Sequence, residues 1–322
     1  MRKNIAIVAG GFSSEYTISI NTSREIERSL DKAKYNTFLV VIDHDGWSAT
    51  KGRHTAPINL DDFTCVLEGQ KIEFDYALIA IHGTPGEDGK LQSYFDLIGL
   101  PYSGCSAGVS ALTFNKFACK AFLAPYGVKM AEGILLQKND PIPPDMAYPV
   151  FVKPNTSGSS FGISKVMAPD QLPGAIGSAL DEGNEVLVEK FIEGVEISAA
   201  VADLNDQVQV FPLCEIVSKN EFFDFEAKYT VGKADEIVPA RIPDADARNI
   251  TELSERIYKR LQCSGLVRID FILSGGIPYF LEINTVPGLS AESIVPKQIR
   301  ATGRNLGEVL GSIIENGLNQ PS

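Results

Sequence analysis

The stretch from Val267 to Ser293, VRIDFILSGGIPYFLEINTVPGLSAES, constrains the fold more than any other part of the chain. Two runs of alternating residues flank Gly275-Gly276, a pattern that predicts an antiparallel β-hairpin. Side chains alternate across a strand, so Arg268 and Asp270 share a face of the first strand, and Glu282 and Asn284 share a face of the second. A three-residue loop of Gly275, Gly276 and Ile277 places Asp270 opposite Glu282 and Arg268 opposite Asn284. A two-residue loop sends these pairs to opposite faces, so the expectation is the odd loop. Two carboxylates facing each other across strands repel. A hard divalent cation held by oxygen ligands removes that repulsion. The plainer alternative is a solvated polar face on an ordinary hairpin.

A chain of 322 residues suggests two or three domains, and 44% hydrophobic content suffices for substantial cores. The net charge of -12 argues against a nucleic-acid or anionic-membrane binder, although local lysines can still create a site for a small anion. The five cysteines are scattered without metal-ligand spacing, which argues against a disulfide framework or a zinc site. The apolar run after Met1-Arg2-Lys3 is short and stops at Gly10-Gly11, as a first strand does and a signal peptide does not. No apolar run is long enough for a membrane span, and a reducing cytoplasm fits.

Residues 4–9 read as a buried strand, turned by Gly10 and Gly11 into a helix beginning near Tyr16 or Thr17, with Glu15 at its start. This opening is Rossmann-like but lacks a full dinucleotide fingerprint. Strands follow at 36–42 and 75–81, the latter ending at His82. The loop after it ends in Gly89-Lys90 but fails the P-loop pattern, because Leu91 stands where Ser or Thr is required. One helical segment, about 107–123, carries Lys116 and Lys120 on one face, and solvation is the usual explanation for such a pair. A Pro-rich connection at 141–149 leads to strands at 150–154, 163–166, 186–190 and 195–201. A polar, lid-like stretch covers 218–236, helices cover 246–261 and 305–315, and the hairpin lies between those helices. Alternating αβ elements followed by antiparallel hairpins predict an α/β domain and then α+β domains, with a site between them.

The loop from Lys153 to Gly162, KPNTSGSSFG, is rich in small residues that let backbone N–H groups and hydroxyls approach an anion. Lys153 at its edge offers a point charge for a phosphate. A flexible hairpin loop has the same composition. In VLVEKFIEGVE, residues 186–196, Glu189, Phe191, Ile192 and Glu196 offer an acceptor, an apolar slot and a ribose partner for a purine, or merely an edge strand with a salt bridge.

Taken together, the chain resembles the D-alanine–D-alanine ligases of the ATP-grasp superfamily. The resemblance rests on GGFSSE (10–15), HGTPGEDG (82–89), NKFACK (115–120), VKPNTSGSSFG (152–162), VEKFIEGVE (188–196), EAKY (226–229) and RIDF through EINTVPG (268–288), in that order over nearly the whole chain. It implies a Rossmann-like N-terminal domain (1–104) and two ATP-grasp α+β subdomains (105–190 and 191–322). It implies ATP as co-substrate, two Mg²⁺ or Mn²⁺ ions, two molecules of D-alanine, a cytoplasmic location and a homodimer. Asp270, Glu282 and Asn284 match the metal ligands. Lys116, Lys153, Ser160 and Lys228 match phosphate contacts, and Glu189, Lys190, Phe191, Ile192 and Glu196 match the adenine and ribose contacts. Arg268 and the Gly288 N–H match groups that stabilise the reacting centre. Glu15, with Ser159 and Tyr229, matches a network at the first D-alanine. His82 would line the alanine site, and Ser293 and Ile294 would hold the second carboxylate. A helix N-cap at Ser293, a loop tie at His82, lid packing at Tyr229 and dipole stabilisation at Glu15 are the bland alternatives. Phe191 departs from the Trp often found there, and Asn155-Thr156-Ser157 lacks the Arg or Glu often seen before Gly158. Retention of Tyr229 favours an amine nucleophile, because relatives that make D-alanyl-D-lactate typically lack this tyrosine. Rivals are a ligase using D-lactate or D-serine, a non-catalytic ATP-grasp-like binding protein, and an NAD-dependent dehydrogenase suggested only by the first turn.

Overall fold

β-Branched and aliphatic runs bounded by glycine turns build three main sheets in the computed structural model, which describes residues 2–143, 146–158, 161–205, 207–218 and 234–319. The first sheet contains β1 (Lys3–Gly10), β2 (Tyr35–Asp43), β3 (Gly46–Lys51), β4 (His54–Pro57) and, beyond a small β5–β6 hairpin (Cys65–Leu67, Gln70–Ile72), β7 (Tyr76–Ile79), in the order β4-β3-β2-β1-β7. The β2-β1-β7 core is parallel, and β1 is fully buried from Ile5 to Ala9, as its unbroken apolar run requires. At its end Gly10 has φ +97, and a Cβ there would overlap the Ile42 carbonyl oxygen. The chain then enters α1 (Tyr16–Ser29), and α2 (Lys90–Ile98) follows β7.

The expected helix over 107–123 is two helices, α3 (Ala107–Phe114) and α4 (Lys116–Leu123). Asn115 breaks it: its backbone is extended, and its side chain accepts from the Ala118 N–H as the cap of α4. The second sheet is antiparallel, β10-β9-β11-β8, from β8 (Gly133–Gln137), β9 (Val150–Pro154), β10 (Ser164–Val166) and β11 (Glu185–Lys190), backed by α5 (Leu172–Asp181). The third runs β15-β14-β12-β16-β17, with β13 pairing β12. It comprises β12 (Val195–Leu204), β13 (Gln207–Val210), β14 (Cys214–Ser218), β15 (Ala234–Ile237), β16 (Leu266–Ser274) and β17 (Ile277–Asn284). Helix α6 (Asp244–Arg260) packs on one side, and α7 (Ile294–Arg300) and α8 (Leu306–Asn319) on the other.

One core joins the two ends of the chain. Ile5 and Ile7 of β1 and Ile26 of α1 pack with Ala200, Ala202 and Leu204 of β12, and with Leu310, Ile313 and Ile314 of α8. Burial on this scale fixes the start of α1 relative to the third sheet, and the site uses that relation. Among the described residues no helix is long and apolar enough to cross a membrane.

Candidate active site

The hairpin forms, but by a different route from the one expected. Ser274 pairs with Ile277, so the loop is the two residues Gly275 and Gly276, both at positive φ as a tight hairpin turn requires. The pairing runs Leu273–Pro278, Ile272–Tyr279 and Phe271–Phe280, then shifts between Asp270 and Phe271 so that Asp270 faces Glu282 and Arg268 faces Asn284. The odd residue is a β-bulge at Leu281, not Ile277 in the loop. Consecutive half-buried residues, Leu281 and Glu282, mark it in the burial pattern.

On the face thus assembled, Arg268 grips Asp270 with Nε 3.0 Å from Oδ1 and a terminal nitrogen 2.9 Å from Oδ2. Ser198 of β12 donates to Asp270 Oδ1 at 2.7 Å. Glu282 is 3.3 Å from Lys116 Nζ, and Lys116 also donates to the Ser157 carbonyl at 2.7 Å. The Asn284 side-chain oxygen accepts from the Val286 N–H. Each acid therefore already faces a cation. Among the described residues no three His, Cys, Asp or Glu side chains cluster as metal ligands, so a metal here would rest on the two acids, the Asn284 amide and substrate oxygens.

Lys116 and Lys120 are both buried, which overturns the solvated-pair expectation. Lys120 contacts Glu189 Oε1, and Lys153 lies 2.6 Å from Glu189 Oε2, all three side chains being nearly inaccessible. The i,i+4 spacing was visible, but its partner on β11 lies far away in sequence. Phe191 stacks on Phe151 with centroids 5.8 Å apart, and Lys165 Nζ lies 4.4 Å over the Phe191 ring. Lys190 is exposed, Ile192 is half-buried, and Glu196 stands on β12 between Ile216 and Ile272.

Glu15 occupies the N-cap position of α1 but makes no capping bond, and its side chain is buried. It lies against Gly158, where an added Cβ would overlap Oε2, so α1 and the Gly/Ser loop close on each other. His82 is buried, with Nε2 3.3 Å from Thr22 Oγ1. Burial lowers its pKa, opposed by Glu15 and by a hydrogen bond to the Val286 backbone. The ring therefore ties α1 to the segment after β17. Ser293 stands at the N-cap of α7, yet its hydroxyl bonds Ser290 Oγ at 2.7 Å instead of capping. A Cβ on Gly288 would come 3.1 Å from Ser293 Oγ, so Gly288, Ser293 and the first residue of α7, Ile294, are neighbours. Ser159, Ser160, Lys228 and Tyr229 lie outside the described residues.

Glu87 was not among the expected site residues. It is buried, accepts from the Gly83 N–H at 2.7 Å, and is close enough to Glu15, Lys116 and Glu282 for their charges to act on it. Burial, then the charge of Glu15, pushes its carboxyl up to about 8. The unfolded carboxyl ionises near 4.5, so between these values the folded state holds more protons and stability falls as pH rises. Glu87→Gln, which can keep an oxygen on Gly83, should flatten that slope. Denaturant midpoints should favour the variant increasingly from pH 5 to pH 8, by about 3 kcal/mol in all. Parallel curves for the two proteins would refute a proton held at Glu87.

An acidic hairpin with its arginine, a wall of buried lysines, and a Gly/Ser loop closing on an N-terminal α/β domain define an ATP-grasp ligase. Solved structures agree. The D-alanine–D-alanine ligase from Bacillus anthracis complexed with ATP is 30% identical at TM-score 0.79, covering 98% of this chain and 97% of that one. The VanG D-Ala:D-Ser ligase from Enterococcus faecalis is 28% identical at TM-score 0.86, covering 98% and 99%. Residues 4–105 match the D-ala D-ala ligase N-terminus family and residues 127–315 the D-ala D-ala ligase C-terminus family. The D-alanine–D-alanine ligase of Parabacteroides distasonis is 47% identical over 99% of this chain and 98% of its own, and that of Flavobacterium johnsoniae is 46% identical over 98% and 99%. The chain belongs to the D-alanine–D-alanine ligase family.

Proposed function

We propose that this chain joins two D-alanine molecules, with ATP, into D-alanyl-D-alanine, ADP and phosphate for peptidoglycan, working in the cytoplasm as a homodimer with domains at 1–104, 105–190 and 191–322. The observation that carries this reading is the shared face of Arg268, Asp270 and Glu282, with Lys116 reaching across to Glu282. A carboxylate oxygen of the first D-alanine attacks the γ-phosphorus, giving an acyl phosphate and ADP. The amine of the second attacks the acyl carbon, loses a proton, and phosphate leaves. The protein forms no covalent bond in this sequence, so positioning and charge neutralisation supply the rate.

Glu15 would hold the first ammonium, in a network with Ser159 and Tyr229, and His82 would line that site. Arg268 and the Gly288 N–H would stabilise the charge that develops on phosphoryl and tetrahedral oxygens. Ser293 and the Ile294 N–H would receive the second carboxylate. Lys116, Lys153, Ser160 and Lys228 would contact phosphates, while Glu189, Lys190, Phe191, Ile192 and Glu196 would line the base and ribose. Asp270, Glu282 and Asn284 fit Mg²⁺ or Mn²⁺: their donors are all oxygen, and the two acids pair across neighbouring strands. A bound cation would neutralise phosphate oxygens there.

ADP release should be measured with Mg²⁺-ATP and D-alanine, L-alanine, D-serine or D-lactate, with products identified by mass. D-alanine-dependent release with a D-alanyl-D-alanine product supports the reading. Release that needs D-serine or D-lactate beside D-alanine reassigns the second substrate, and no release at all overturns ligase activity. Tyr229→Phe should raise the D-lactate to D-alanine product ratio several-fold, and an unchanged ratio would remove Tyr229 from second-substrate selection.

A further inference from the structure

Ser293 precedes α7 and Ile294 opens it, so the seat of α7 on the third sheet decides where those two groups stand. Most of what holds this helix is apolar. Val295 and Ile299 share a core with Ala200 and Phe211, and Ile294 shares one with Cys214 and Ile216. Such burial keeps a helix down but fixes its place along a strand weakly, because it has no direction. The only polar side chain among the buried residues of α7 is Gln298. Its Nε2 lies 2.9 Å from the Ser198 carbonyl oxygen and 2.9 Å from that of Pro212. Both partners are acceptors, so the donor end of the amide faces them and both of its hydrogens are used. They stand where β14 parts from β12: the ladder ends at Ser198–Cys214, and Pro212 has no N–H to extend it. Gln298 bridges that break. Its Oε1 is buried with no partner among the described residues, a cost that an apolar side chain at 298 would not carry.

The two ends of this contact belong to different parts of the site. Ser198 pairs with Asp270 across β12 and β16, and its hydroxyl donates to the Asp270 carboxylate. Gln298 follows Ile294 by one helical turn, about 6 Å along the axis and on the same face of α7. We propose that Gln298 is a positioning residue for the second substrate: its amide pins α7 to the strand that holds Asp270, and so sets Ser293 and the Ile294 N–H at a fixed distance from the reacting centre. The proposal rests on the ligase reading above and adds to it a residue that lies outside every motif carrying the resemblance. Lys297 gives α7 a second tie, with Nζ 3.0 Å from Glu236 of β15. That pair is partly exposed and reaches a different strand, so it is screened and leaves the distance to Ser198 unset.

Initial rates of ADP release by the full chain, taken over a wide range of D-alanine at saturating Mg²⁺-ATP, yield one half-saturation constant for each of two sites that fill in order. Gln298→Met keeps the length and bulk of the side chain but donates no hydrogen bond. It should raise the second-site constant about tenfold or more and leave the first-site constant, the ATP constant and kcat within about twofold of the parent. Gln298→Asn keeps the amide on a stem one carbon shorter, and should raise the second-site constant alone, by about threefold or more. A second-site constant unchanged in both variants would overturn the positioning role. Equal rises in all the constants, or a fall in kcat alone, would make Gln298 a bond of the fold only and overturn it as well. A parent chain that releases no ADP would overturn the ligase reading and the role of Gln298 with it, a failure seen before any variant is compared.

Discussion

Glu282→Gln is expected to cut D-alanine-dependent ADP release by about a thousandfold or more while leaving the cooperative unfolding transition within about 1 kcal/mol of the parent. The two consequences separate because of where Glu282 sits. Its side chain is 30% exposed, so its ion pair with Lys116 is partly screened, and an amide of equal size can still meet that ammonium. The function of the face is another matter. Asp270 is held by Arg268 and Ser198, and Glu282, paired with Lys116, is the more exposed of the two acids and the one a cation would reach first. Removing its charge removes half of the formal negative charge that the hairpin offers. Activity within a few-fold of the parent, measured at saturating ATP and D-alanine, would sink the metal assignment of this strand pair.

Gly158→Ala is expected to raise the D-alanine concentration needed for half-maximal rate by about a hundredfold, with a smaller loss in ATP affinity. The added methyl would occupy the position of Glu15 Oε2. Glu15 is itself buried, so its carboxylate has little room into which to move. Either the carboxylate leaves the position proposed to hold the first ammonium, or the Gly/Ser loop withdraws from α1. Both outcomes damage the first D-alanine subsite before they touch the buried lysines. Equal losses in D-alanine and ATP half-saturation would instead mean that the whole loop had collapsed. An unchanged response to D-alanine would remove Glu15 from substrate binding.

Much of this architecture is legible along the chain, because local rules suffice for it. The buried strand of residues 4–9, the glycine turn after it and the start of α1 follow from an apolar run, a left-handed backbone and helical periodicity. The facing of Asp270 and Glu282 was also foreseen, but for the wrong reason. Alternation alone demanded an odd residue between the strands and assigned it to the loop, whereas the protein keeps a tight Gly-Gly turn and spends the extra residue in a bulge at Leu281. A bulge depends on what the neighbouring strand and the core beneath it accept, and no local pattern encodes that. Helix α4 shows the same limit. Asn115 is a recognisable cap residue, yet only the fold shows it ending one helix and starting another.

The sequence by itself determined the first strand with its glycine turn, the hairpin with its acidic face, and the family, since residue types and their spacing along one strand or loop carry that information directly. The tertiary structure alone decided that Lys120 is buried rather than solvated, that Glu189 turns its carboxylate to two lysines, and that burial and the charge of Glu15 raise the carboxyl of Glu87. Charge state and burial depend on groups brought together from distant segments, here 120 with 189 and 15 with 87. The energy of such a meeting is set by the dielectric and geometry of the folded interior, not by any neighbour in the chain.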